Sequence, residues 1–186
     1  MMMIKTNTLD LFKMKSLLAD LKHKQRIFAE DGNNSSFLKV CLSDGTSANV
    51  LYRMMRFFAK YKAGFLVAKL IQHLNKLLNQ CIIGVNADFR EGFVLMHPTG
   101  VIINSKVSGG KNIVIESGVV IGDEKGKSPK LENNIFIGSG AKIFGEITIG
   151  ANSKIGANAV VVKDVISGNS VGGIPAKKLT QRQSFK

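Results

Sequence analysis

Ile137-Gly138-Ser139-Gly140-Ala141-Lys142-Ile143-Phe144-Gly145-Glu146-Ile147-Thr148-Ile149-Gly150-Ala151-Asn152-Ser153-Lys154-Ile155-Gly156 carries an aliphatic residue at every sixth position, and Val161 extends the series. Four places after each comes a small or β-branched residue: Ala141, Ile147, Ser153, Ala159 and Val165. A helix repeats near 3.6 residues and a strand near 2, so neither explains a beat of six. A parallel β-helix does, because short strands joined by turns wind a triangular prism with one inward aliphatic residue per side.

Upstream, the beat runs through Ile83, Phe89 and Leu95, slips by two residues at Val101-Ile102, and resumes at Ile103, Gly109, Ile115 and Ile121. Asp123 to Lys130 interrupts it, and Leu131 restores it. These thirteen units, three to a turn, predict a little over four coils. Gly109 stands where an aliphatic residue belongs, so a loosened corner is expected there. The insertion cannot fit a regular wall and is expected to loop outward, as functional segments on rigid scaffolds do. After Asp164 the prism is expected to end, with Gly172-Gly173-Ile174-Pro175-Ala176-Lys177-Lys178 turning into a basic tail.

The first part of the chain reads differently. Leu11, Met14, Leu18 and Leu21 have helical spacing, as do Leu51, Met54, Met55 and Phe58. A further helix is expected to place Leu70, Ile71, Leu74, Leu77 and Leu78 on one face. Glu30 to Ser36 and Ser43-Asp44-Gly45-Thr46-Ser47 read as turns, the second able to cap the helix after it. The organisation predicted is a helical region over 1–80, a β-helix over 81–170 with the loop 123–130, and a tail over 171–186. His23 and His73 lack a helical-spacing partner for a metal, and no metal site is expected.

The 186 residues carry a net charge of +13, with +8 before Cys81 and +5 from there on. An anionic partner is therefore expected: a phosphorylated cofactor, an acidic glycan or a membrane surface. Nucleic acid is not expected, since the cations are scattered and no aromatic platform accompanies them. Cys41 and Cys81 fit no metal spacing and read as reduced core thiols of a cytoplasmic protein. Met1 to Phe12 has no leader-like apolar core. The most apolar helical run, from Gly64 to Ile71, meets Lys69 far short of the ~20 residues a membrane span needs, which leaves only peripheral contact.

Leu95-Met96-His97-Pro98-Thr99-Gly100-Val101-Ile102-Ile103, the loop before Ile137-Gly138-Ser139-Gly140-Ala141, Ile155-Gly156-Ala157-Asn158-Ala159-Val160-Val161 and the Gly173-Ile174-Pro175-Ala176-Lys177 ending together resemble the serine O-acetyltransferases and their glycan-modifying relatives among the hexapeptide-repeat acyltransferases. The resemblance covers roughly residues 82 to 180. It implies a mainly β fold, a left-handed parallel β-helix, working as a homotrimer with its sites between subunits. It also implies acetyl transfer from acetyl-CoA to an acceptor hydroxyl. Such a hydroxyl ionises far above neutrality, so the attack needs a general base, and His97, the only His of the repeat region, matches the family's position.

By the same resemblance, Gly138, Ser139, Ala157, Val162 and Lys163 line the pantetheine arm, and Lys177 and Lys178, with Arg182, meet the phosphates. The family's orienting Asp is replaced by Ile82, and the Asp beside its His by Met96. Its acceptor-binding Arg-His pair corresponds to Lys127-Ser128-Pro129. A backbone carbonyl, or Glu116 and Ser117 one coil on, are the partners left for His97, with Lys127 a weak candidate toward the acceptor. These departures make a sugar hydroxyl of a surface polysaccharide or its precursor the expected acceptor, with L-serine as the alternative. A β-helix that only binds an acidic glycan is the reading from another class.

Overall fold

The computed structural model describes the backbone of residues 7–33 and 36–180, and side chains from Lys15 onward. Met1 to Thr6 and Arg182 lie outside the described residues. The predicted prism is present, with three stacked walls. The first contains β1 (Ile82–Ile83), β4 (Ile102–Ile103), β7 (Val120–Gly122), β10 (Lys142–Phe144) and β13 (Val160–Val161). The second contains β2 (Asp88–Phe89), β5 (Ser108–Gly109), β8 (Lys130–Leu131) and β11 (Thr148–Ile149). The third contains β3 (Val94–Leu95), β6 (Ile113–Ile115), β9 (Ile135–Ile137), β12 (Lys154–Ile155) and β14 (Ser170–Gly172). All pairings between successive coils are parallel, and Leu95, Ile115, Ile137, Ile155 and Val171 stack in register.

Each of the thirteen phased positions is buried. The beat goes further than expected: Val165 bridges Ile149 and β14 stacks on β12, so the wall continues past Asp164 to Gly172. The sequence after it is no loose tail either, since β15 (Lys177–Lys178) folds back antiparallel on β14. Gly109 is no loosened corner. A Cβ built on it would lie 2.2 Å from the Phe89 ring, so Phe89 of the coil below fills the volume that a side chain would take.

The helices close one end of the prism. Helix α1 (Asn7–Glu30) lies along the third wall, and α2 (Phe37–Cys41), α3 (Thr46–Phe58) and α4 (Phe65–Asn79) follow. The first coil has an open edge of backbone groups, and side chains from the helices satisfy it. Gln72 donates to Ile83 O at 2.7 Å on the first wall. On the second, the Tyr52 hydroxyl donates to Ala87 O at 3.1 Å and accepts from Phe89 N at 2.9 Å. On the third, Asn49 donates to Phe93 O at 2.8 Å and accepts from Leu95 N at 3.0 Å, while Asp20 accepts from Gly92 N and Phe93 N and pairs with Arg53. The α4 expectation needs correction. Ala68, Ile71 and Asn75 are its buried residues and form the face toward α3 and β1, with Asn75 donating to Ala48 O, whereas Leu70, Leu74, Leu77 and Leu78 face outward.

Restoring the repeat residue at Gly109 is therefore expected to hurt. Gly109→Ile should cost about 1–3 kcal/mol by overpacking against Phe89, seen as a lower denaturant midpoint; an unchanged or raised midpoint would show that the Phe89 ring moves aside freely.

Candidate active site

Six residues separate Ile115 from Ile121 and Ile137 from Ile143, but eight separate Leu95 from Ile103. The corner that bears His97 is therefore two residues longer than those stacked over it, and it stands out from the prism. Pro98 is buried beneath it, while Gly100 N donates to Gln80 O and Val101 N to Pro98 O, so the extra residues are tied down. His97 itself is 61% exposed in its side chain.

The partner of His97 is a carboxylate that sequence reasoning missed. His97 Nδ1 lies 2.9 Å from Asp44 Oδ2, in the turn between α2 and α3. The other carboxylate oxygen accepts from Gly45 N at 2.8 Å, so the group is held at both ends. With Nδ1–H donating to Asp44, Nε2 keeps its lone pair, which is the tautomer a general base needs. Gly45 explains how the turn gets so close. Its φ is 76°, and a Cβ there would sit 2.0 Å from Leu95 O. Asp44 stands 53 residues before His97, and nothing local in Ser43-Asp44-Gly45 marks it as more than a cap; the one usable hint is an Asp-Gly pair leading into a helix that has no side-chain cap.

Register places the other expected residues. With Leu95 opposite Ile115, Glu116 stacks over Met96, and Gly118 N donates to Thr99 O, so Ser117 sits above the longer corner that bears His97. Glu116 and Ser117 are half-buried, and burial pushes the Glu116 carboxyl up, aided by Asp31 and opposed by His97 and Lys24. The same column continues through Gly138 and Ser139, then Gly156 and Ala157, to Gly172 opposite Lys177. A strip of small residues thus climbs from His97 to an exposed lysine pair on β15, five strand spacings from β3, or roughly 24 Å at ~4.8 Å per spacing. That is comparable to an extended phosphopantetheine arm. A Cβ on Gly138 would meet Ala157 N at 2.8 Å, so the strip stays narrow by close backbone stacking.

Val162, Lys163 and Lys127 do not join this strip. They follow the strands of the first wall, whereas His97, Ser139 and Ala157 precede them, so the two groups lie at opposite edges of that wall. The loop 123–130 loops outward at the far edge as a hairpin in which Glu124 pairs with Lys127 and both Lys125 and Gly126 have positive φ. Lys127 there pairs with Glu146, and Lys106 donates to Gly126 O at 2.8 Å. Among the described residues no group of His, Cys, Asp and Glu could hold a metal ion, and no helix is long and apolar enough to cross a membrane.

No family model matches the chain. The serine acetyltransferase of Bacillus pumilus is 34% identical over 160 residues, spanning 83% of this chain and 73% of that protein. Among solved structures, the serine acetyltransferase of Brucella abortus in complex with coenzyme A superposes with a TM-score of 0.81 at 28% identity, over 89% of this chain and 67% of that one. That of Neisseria gonorrhoeae in complex with serine does so with a TM-score of 0.82 at 30% identity, over 92% and 70%. The prism is the left-handed β-helix of these enzymes. Taken with the repeat and the His97 corner, these likenesses place the chain in the serine acetyltransferase family of acetyl-CoA-dependent O-acetyltransferases.

Proposed function

We propose that the chain transfers the acetyl group of acetyl-CoA to the hydroxyl of L-serine or a close analogue, with His97 as general base. Nε2 of His97 takes the hydroxyl proton as the oxygen attacks the thioester carbonyl. The tetrahedral intermediate expels the CoA thiolate, which recovers the proton from the imidazolium. Asp44 keeps Nδ1–H oriented and stabilises that imidazolium. The observation that carries the reading is the His97–Asp44 pair at the foot of the small-residue strip. Acetyl-CoA fits that strip, with its phosphates toward Lys177 and Lys178 and its thioester toward His97.

The sugar acceptor expected from the sequence rested partly on the lost family Asp at Ile82. Asp44 now supplies a carboxylate, and the relatives named above lend a sugar no support. Asp44, Glu116 and Asp31 give the region around His97 an acidic character that suits the ammonium of an amino acid. One observation favours a larger acceptor: a groove of about 770 Å³ begins at Met96 and Glu116 and runs between α1 and the third wall past Phe136 and Lys154.

A homotrimer completes the site. The outward residues of the first wall are Ile82, Ile102, Val120, Lys142 and Val160, an aliphatic column but for Lys142, whose ammonium turns aside to Gly118 O, whereas the second wall turns out Asp88, Ser108, Lys130 and Thr148. Three such walls meeting about an axis would bring the far edge of a neighbour, with its Val162, Lys163 and Lys127, to His97. Lys127 would then be the cation for an acceptor carboxylate.

Thiol release from acetyl-CoA should depend on L-serine and not on capsular or lipopolysaccharide sugars; sugar-dependent turnover with serine inert would overturn the acceptor. His97→Ala should abolish turnover, and Asp44→Asn should lower kcat by about 10²-fold or more while leaving the fold intact. Ile102→Glu should convert a trimer to monomer by sedimentation and lose activity with it; an active monomer would remove the need for a second wall.

A further inference from the structure

Lys24 is 2% exposed, at the point where α1, the α2–α3 turn and the end of β3 meet. Its Nζ donates to Asp44 O, to Thr46 Oγ1 at 3.3 Å and to Leu95 O at 3.4 Å. Three donors meet three oxygens, the full complement of an ammonium. Asp44 O belongs to the residue whose carboxylate meets His97, and Leu95 O lies two residues before His97. The two segments that supply the His–Asp pair are far apart in sequence, and the Lys24 ammonium bolts them together from beneath.

We propose that Lys24 is a positioning residue of the acetyl transfer, holding the Asp44 turn against the end of β3 so that the carboxylate orients His97. This rests on His97 being the base. A cation there is costly. Burial lowers the Lys24 pKa from 10.5 to about 8, although Asp44 and Glu116 act in the opposite direction. The other groups around it are the Phe28 ring at 6.0 Å and, one turn back on α1, Asp20, which is committed to Arg53. Because the folded pKa lies below the unfolded one, protonated Lys24 opposes folding at neutral pH, and its contribution to stability improves as pH rises from about 8 to 10.5. A neutral donor could close the Leu95 edge without that cost, whereas pinning the carboxylate's turn gives a reason for an ammonium with three donors.

The test uses the full chain with Lys24→Met and Lys24→Gln. In wild-type protein, nitrogen NMR of His97 should show the neutral ring protonated on Nδ1; in the variants the Nε2–H tautomer should become appreciably populated. The kcat should fall at least about tenfold with KM for acetyl-CoA within about twofold. Wild-type kcat should also decline between about pH 7 and about pH 9, as Lys24 loses its proton, a decline the variants should lack. A folded variant with wild-type kcat and an unchanged His97 tautomer overturns the proposal. Should neither variant fold, the wild-type spectrum decides: a neutral His97 ring protonated on Nε2 rather than Nδ1 overturns the proposal by itself. Failure of the His97 reading is separate: His97→Ala would then retain wild-type turnover, whereas the tautomer measurement reports on Lys24 independently of catalysis.

Discussion

The open edge of the first coil is the constraint on which the molecule depends. Each later coil finds its backbone partners in the coil beneath, but Ile83, Ala87, Phe89, Phe93 and Leu95 have none below them. A buried carbonyl or amide without a partner costs about 1–3 kcal/mol, so a row of them would prevent the stack from starting. Gln72, Tyr52, Asn49, Asp20, Arg53 and Lys24 meet those groups one by one. Seen this way, the helices supply the missing coil zero of the solenoid, written in side chains.

The same need places the chemistry. To satisfy the edge of β3, the chain must bring the α2–α3 turn down onto Leu95, and that contact carries Asp44 to His97. Structural closure and the His97–Asp44 pairing are one arrangement, with Lys24 bonded to both segments.

How much of this was legible from the sequence follows from range. The beat of six is a local signal, and it gave the coils and their register. Where one residue borrows space from another coil, the signal failed: Gly109 looked empty because the occupant, Phe89, stands twenty residues earlier. Asp44 was hidden for a similar reason, because it acts across the helix–prism junction while sitting in a stretch that reads as ordinary turn chemistry. The leucines of α4 were misassigned because helical spacing shows that a face is apolar, not which element covers it.

A parallel β-helix is, in principle, a growing surface: either end could accept the end of another molecule and extend into a fibre. Here the lower end is sealed by helix side chains. At the upper end the returning strand β15 runs antiparallel to everything beneath it and carries Lys177 and Lys178. Reversing direction breaks the register that a second prism would have to continue, and two like charges discourage its approach. The lysine pair proposed to meet the phosphates is thus also a stopper, limiting a repetitive protein to a finite length.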